Sequence, residues 1–478
     1  MVFFNSFLFY DIIFLVIFTL FVVWFLYTRK SNLKREGIIY LYRTKLGIKF
    51  INYVGNKYKR TINVLQYFSI INGFILMVSI ILLLIFTIYT YIKFPQITQV
   101  VKAPPLLPLI PYFPSIFGLE SFFPPLYFIY WIIAILIVAA VHEFSHGIFA
   151  KFHRLKIKST GFAFLGPILG AFVEPDEKQM VKKKNFAQMA ILSSGVFANI
   201  VTAAIFFIIM WGTFSFAFNP AGVFIHSYPQ GLVEISAIKT IDGISFNGNF
   251  DGFLNEEKSE LINIKTDQGS YLIPQEALKN QLSIIGENLD KSGLNVYLDA
   301  PAIKNGLVGA ISKVDEFEIR SMEDLTLILE SKSPGETIHI ETITRSGKKN
   351  YYEIILDNHP LEKEKAFLGI NLNINNLSGF RKTISNVFFF KNPSIFYEES
   401  NKTLVFIYYL LWWVVMINFF VALFNMLPVG ILDGGRFFYL TIFSITKSEK
   451  SAKNVYKIFN YLILFIFLAL LFSWLFAL

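Results

Sequence analysis

The sequence His142-Glu143-Phe144-Ser145-His146 combines two imidazoles and a carboxylate at a spacing that can bind a metal ion and use it. On a helix, residues i and i+4 share a face about one turn apart, so His142 and His146 can bind one ion. Glu143 then lies close to that ion without ligating it, where it can take a proton from a water held there. This is the division of labour in a zinc hydrolase: two imidazoles as ligands, one carboxylate as general base. In a soluble helix the same pattern can be no more than a solvated polar face. Here it closes the run WIIAILIVAAV, apolar enough to lie in a bilayer, where ionisable groups are costly and seldom kept without a role.

The rest of the chain has to position that stretch. Of 478 residues 54% are hydrophobic and only 16% charged, which describes a polytopic membrane protein and excludes a large soluble enzyme. The formal charge of +9 invites a nucleic-acid reading, but the basic residues cluster beside apolar runs, where they set membrane orientation instead. There is no cysteine, so disulfides, thiolate zinc sites and cysteine nucleophiles are excluded. Any zinc must be held by His, Asp, Glu and water.

Six spans are expected, at about 7–27, 65–92, 126–150, 187–211, 403–427 and 455–476. The segment Arg29 to Arg60 holds ten Lys or Arg against one acid, Glu36, which places it in the cytoplasm and both termini outside. The first 125 residues thus form a two-span extension ending in a proline-rich loop at 94–125. A core half follows at 126–211. Its third span returns to the cytoplasm at Lys151, leaving His142 about 12 Å inside the membrane at 1.5 Å per residue. Residues 159–179 are punctuated by Gly161, Gly166, Pro167 and Gly170, which predicts a membrane-associated β-hairpin or re-entrant loop. Irregular backbone at that depth needs protein or water beside it, so Gly166 and Gly170 are candidates to flank a bound substrate, held by strand addition. The alternative is a plain connecting hairpin. The fourth span carries Ser193-Ser194-Gly195 and Asn199. Packing between helices accounts for these, with a substrate contact as a second reading for Asn199.

Residues 212–385 change character, being charged, alternating and turn-rich, and predict an α+β domain outside the membrane. Ser321 and Asp324 form a capping-box pattern for a helix at 321–331. GLVEISAIKTIDG (231–243) weakly echoes GLVGAISKVDE (306–316), which suggests two related modules. His226, His339 and His359 are scattered and read as surface or packing residues. The second core half, 403–478, contains Asn425-Met426-Leu427-Pro428 and Leu432-Asp433-Gly434-Gly435. Proline and glycine predict unwound backbone there. A carboxylate at Asp433 needs a partner, and a two-histidine zinc site lacks one protein ligand. The alternative for Asp433 is a loop-capping residue at the cytoplasmic surface.

HExxH in a membrane helix, GAFVEPDE after it and NxxPxxxLDGG in a late helix together resemble the site-2 protease family of intramembrane zinc metalloproteases. The resemblance covers about 126–211 and 403–440. It implies one zinc ion per active site, with His142, His146 and Asp433 as ligands and Glu143 as catalytic base. Asn425 would hold the substrate backbone or polarise its carbonyl. Residues 212–385 resemble the PDZ domains many members insert between the core halves, with PAIKNGLVG and SMEDLTLIL matching best. The resemblance further implies a membrane-spanning protein substrate, cleaved within or beside its transmembrane helix, in a lipid bilayer and with no nucleic-acid partner. The fourth span departs from the family pattern, with Val196 after Gly195 where proline is usual. Three other readings use the same residues: a catalytically silent scaffold or membrane chaperone, a metal transporter, and a membrane zinc peptidase with a distal Glu ligand. No second copy of the motif supports a transporter's repeated halves, and the LDGG context favours Asp433 over the distal Glu.

Overall fold

The computed structural model describes residues 2–30, 33–37, 39–94, 109–120, 122–165, 168–250, 253, 261–285, 292–372, 391–430 and 432–475. The chain divides into two compact units, residues 1–214 with 403–478, and residues 215–402.

Among the described residues, the first unit holds six helices long and apolar enough to cross a membrane. Helix α1 (Val2–Thr28) is followed by two short strands, β1 (Leu33–Glu36) and β2 (Ile39–Thr44), and by α2 (Ile48–Lys57). Then come α3 (Lys59–Lys93) and α4 (Phe128–Phe152), the helix that carries HExxH. No proline interrupts α4, and Pro124-Pro125 precede it. Its N-cap, Tyr127, offers no side-chain acceptor. Asp11 of α1 supplies one instead, its carboxylate accepting from the backbone N–H of Phe128 (2.7 Å) and Ile129 (3.0 Å) and from the Tyr112 hydroxyl (2.7 Å). A buried carboxylate in an apolar helix is thereby satisfied by the unpaired donors of another helix's first turn.

The glycine-punctuated stretch is a β-hairpin, β3 (Ile157–Leu165) and β4 (Ile168–Pro175). It is not alone. The segment expected as a cytoplasmic loop contributes β1 and β2, giving an antiparallel sheet in the order β1-β2-β3-β4. Tyr42 pairs with Phe162 and Arg43 with Gly161. A Cβ at Gly161 would lie 2.2 Å from the Tyr42 carbonyl and 2.7 Å from the Phe172 ring, so only glycine admits β2 here. The amphipathic α2 packs on α4, with Ile51 fully buried against Gly147.

Helix α5 (Asn185–Ala217) returns beside α3, joined to it by a buried hydrogen bond between the Ser69 and Ser193 hydroxyls (2.7 Å). In the last part, α6 (Lys402–Asn425) stops where asparagine, proline and glycine break it, and α7 (Asp433–Thr446) and α8 (Glu449–Leu475) follow. The unwound stretch is shorter than the sequence predicts: Asp433, Gly434 and Gly435 already form the first turn of α7. Two apolar clusters hold these elements. One gathers α2, α3, α5 and α7 around residues such as Ile51, Ile80, Ile191 and Phe437. The other packs Phe128 and Trp131 of α4 against Trp413 and Ile417 of α6.

The second unit contains two six-stranded sheets. The first runs Gln230–Glu234, Gly293–Leu298, Gly269–Pro274, Leu261–Thr266, Thr240–Ile241, Ile244–Ser245 in space. The second runs Lys349–Ile355, Thr337–Ile343, Ala310–Val314, Phe218–Phe224, Ile395–Glu399, with Phe317–Glu318 paired to Ala310–Val314. Each sheet has its own apolar core. The helix Met322–Glu330 carries the expected capping box in full, Ser321 and Asp324 capping each other's backbone. The sequence echo has a structural counterpart. Asp242 and Asp315 both sit at left-handed φ (49° and 52°) in the turn after a strand. Each accepts a hydrogen bond at Oδ1 from a neighbouring strand's N–H, Asn263 (2.7 Å) and His339 (2.8 Å) respectively.

Candidate metal centre

Helix α4 projects His142 and His146 from one face, and α7 begins with Asp433 directly opposite. The two Nε2 atoms are 3.0 Å apart, and each is 3.2 Å from Asp433 Oδ2. Among the described residues these three form the one group of His, Cys, Asp or Glu side chains close enough to share an ion. Zinc bonds of about 2.0–2.1 Å in a tetrahedral site imply ligand atoms about 3.3 Å apart. The donor set and its spacing therefore fit zinc.

The outer nitrogens are also placed for ligation. His146 Nδ1 donates to the Ile191 carbonyl (2.6 Å), which leaves Nε2 with its lone pair facing Asp433. His142 Nδ1 lies 3.1 Å from the Asn199 amide, which is completely buried and whose Oδ1 has no partner among the described residues. A half-turn of that amide brings Oδ1 to accept from His142 Nδ1, fixing the same tautomer in the second imidazole. Ser145 donates to the Ser194 carbonyl (2.9 Å), tying α4 to α5 beside the site.

Glycine makes these approaches possible. A Cβ at Gly195 would lie 2.5 Å from His146 Nε2 and 2.7 Å from His142 Cε1, so the imidazoles rest on the bare backbone of α5. In α7, a Cβ at Gly434 would lie 2.3 Å from the Met426 carbonyl carbon, and one at Gly435 2.3 Å from the Val429 oxygen. The first turn of α7 thus folds back tightly on residues 426–430, and this aims Asp433 at the histidines.

Glu143 is half-buried on the neighbouring face of α4, where its Oε2 accepts from the Val173 N–H of β4 (2.8 Å). Beside it is a cleft of 170 Å³ with a largely apolar wall, including Leu136, Ala140, Phe162, Gly170 and Phe172. Gly170 therefore lies on this cleft, whereas Gly166 lies outside the described residues. Asn425 ends α6, half-buried, and its amide has no hydrogen-bond partner among the described residues. Asn199 faces His142. Sequence reasoning does not reach the roles of Gly195 and of Val173. The signal for Gly195 is a small residue standing beside two serines on a span that must pass the histidines.

Helices apolar enough to cross a membrane, a small sheet packed on one of them and a His-His-Asp cluster with an adjacent glutamate are the arrangement expected of a membrane metallopeptidase. The model of peptidase family M50, the site-2 protease family, matches residues 130–470, and the chain belongs to that family. An uncharacterized protein of Methanocaldococcus jannaschii is 35% identical over 176 residues, which are 36% of this chain and 42% of that relative. The match thus spans less than half of that relative's length.

Proposed function

We propose that this protein is an intramembrane zinc endopeptidase that cleaves membrane-anchored proteins within or beside a transmembrane helix. The observation that carries the reading is the triad of His142 Nε2, His146 Nε2 and Asp433 Oδ2 at mutual distances of 3.0–3.2 Å, with Glu143 on the next face of the same helix. The chemistry zinc supplies when held by these three residues is Lewis acidity, which polarises the scissile carbonyl and makes water easier to deprotonate. Glu143 acts as general base, taking one proton from the attacking water and passing it to the leaving amine as the carbon–nitrogen bond breaks. Its bond to Val173 anchors one carboxylate oxygen and leaves the other for this transfer. Asn199 is a positioning residue that holds the His142 imidazole.

A helix hides its own backbone, so the substrate must unwind before attack. β4 is an edge strand. Since Val173 turns its N–H outward to Glu143, strand periodicity turns Ala171 outward too. An extended substrate segment added along this edge would run past Glu143, with its side chains in the apolar cleft. Gly170 keeps that edge uncluttered, and the amide of Asn425, unpaired among the described residues, is suited to hold the substrate backbone. Residues 212–385 are read as extracytosolic PDZ-like modules that screen substrates, with the metal site nearer the cytoplasm, as the basic Arg29–Arg60 segment implies.

The test is quantitative membrane proteomics of cells carrying the wild type or Glu143→Gln, with zinc content measured on both purified proteins. Short transmembrane stubs should accumulate only with the variant, and both proteins should hold one equivalent of zinc. Matching membranes with zinc retained in both would overturn the assignment.

A further inference from the structure

Three candidate spans begin or end together at one end of the first unit. Helix α3 starts at Lys59, α4 ends at Phe152 and α5 starts at Asn185. Residues at and near these termini line a cavity of 530 Å³ that includes none of His142, His146 and Asp433. Lys59, Lys151, Arg154, Lys183 and Lys184 surround it, and no Asp or Glu is among its lining residues. None of the five cations makes an ion pair among the described residues.

Basic residues beside spans are ordinarily splayed into solvent, where they set orientation. Here three separate chain segments bring five of them to one concavity, where like charges repel and an anion would relieve them. Arg154 is held there at φ 63°, in the left-handed turn that closes α4, a position that favours glycine. The floor is polar and incompletely paired. Gln66 is 4% exposed; its Nε2 donates to the Asn63 carbonyl and side-chain oxygens (3.1 and 2.8 Å), and its buried Oε1 has no partner among the described residues. His153 Nε2 is likewise buried without a partner. Burial first, and then the charge of Lys183, push the His153 pKa down to about 4, so at neutral pH it is an uncharged group able to share a proton with a bound oxyanion. The remaining wall is Phe152, Phe186 and Ala187, with Phe186 exposed.

We propose that this cavity binds a phosphate ester. Guanidinium and ammonium groups would hold the phosphate oxygens, Arg154 in bidentate fashion, and the Gln66 carbonyl would accept from a hydroxyl of the esterified alcohol. The apolar flank at the end of three spans favours the headgroup of an anionic lipid over a soluble ester, with its acyl chains lying against Phe186. The site takes no part in the proposed hydrolysis and stands whether or not that reading holds.

The experiment uses the full chain, purified and delipidated in neutral detergent, and measures thermal stability and binding with three probes: phosphatidylglycerol, phosphatidylcholine and glycerol 1-phosphate. Three proteins are compared: the wild type, Lys151→Gln/Arg154→Gln/Lys183→Gln/Lys184→Gln, and the control Lys447→Gln/Lys450→Gln/Lys457→Gln. Phosphatidylglycerol should raise the melting temperature of the wild type and the control by several degrees, with phosphatidylcholine without effect. The cavity variant should bind at least tenfold more weakly. A matching shift with glycerol 1-phosphate supports the site with a soluble ester as its source, whereas a shift with the lipid alone assigns it to the headgroup. Wild-type affinity in the cavity variant, or no shift of the wild type with either phosphate probe, overturns the proposal. Should the quadruple variant fail to fold, Arg154→Gln alone, on an exposed side chain, repeats the comparison: weakened binding supports the site, and wild-type affinity overturns it.

Discussion

A methyl group at Gly195 isolates what the close approach of α5 does for the metal ligands. In an isolated helix Gly→Ala is stabilising by about 1 kcal/mol, because alanine restricts the unfolded chain and favours the helix. At this position the added carbon would stand 2.5 Å from His146 Nε2, the atom proposed to ligate zinc, and crowd the His142 ring as well. Neither ring can yield without leaving Asp433, since both Nε2 atoms are already 3.2 Å from its Oδ2. Gly195→Ala should therefore fold with a melting temperature close to wild type while zinc affinity, measured by chelator competition, falls at least tenfold. Undiminished affinity would show that the imidazoles do not rest on Gly195 when the ion is bound. With valine after Gly195, it is the missing Cβ and not a helix break that makes room for the histidines.

At the level of whole elements, α4 is set in place by a residue 117 positions earlier in the chain. Asp11 receives two backbone N–H groups at the start of α4 that have no other acceptor, in surroundings that are 4% exposed at Asp11 itself. Leaving buried donors unpaired costs about 1–3 kcal/mol each. Asp11→Leu should lower the melting temperature in detergent by several degrees, and Asp11→Asn, which keeps one acceptor, by less. Equal melting temperatures for all three proteins would refute the cap. This partnership shows where sequence reading stops. The spans are legible because apolar runs without breakers have few other fates, and the β3–β4 hairpin because glycine and proline punctuate it. Asp433, 291 residues from His142, is legible too, because a two-histidine site needs a third ligand and a carboxylate in an apolar setting needs a cation. Asp11 poses the same need, but its partners are backbone groups, which look alike in any sequence. The strands β1 and β2 are hidden differently: the charges of Leu33–Glu36 and the basic run around them signal a solvated loop, and only the bare backbone of Gly161 opposite reveals that a strand must lie there.

Across the whole molecule, the two units are built on different balances. The first relies on apolar burial with a few polar groups matched one to one, whereas the second spreads charge over turns that lock its sheets. Its Asp315 is the clearest case. Partial burial acts to raise the carboxyl pKa, but the N–H of His339 (2.8 Å) and the ammonium of Lys332 (2.7 Å) outweigh it and hold the pKa below the usual carboxylate value. Lys332 also donates to Glu336 (2.8 Å), whose pKa is lowered chiefly by that bond. A carboxylate with a lowered folded-state pKa takes up protons more readily once unfolded. Its stabilisation is therefore complete above the unfolded value of about 4 and disappears as pH falls through the lower folded value. Amide exchange across Ala310–Val314 and Thr337–Ile343 should accordingly show more opening below pH 4, beyond the intrinsic pH dependence of exchange. Asp315→Asn should be less stable at neutral pH, because it loses the Lys332 ion pair, yet its stability should fall less steeply with acid. Parallel acid limbs for wild type and variant would mean that Asp315 titrates alike in the folded and unfolded states.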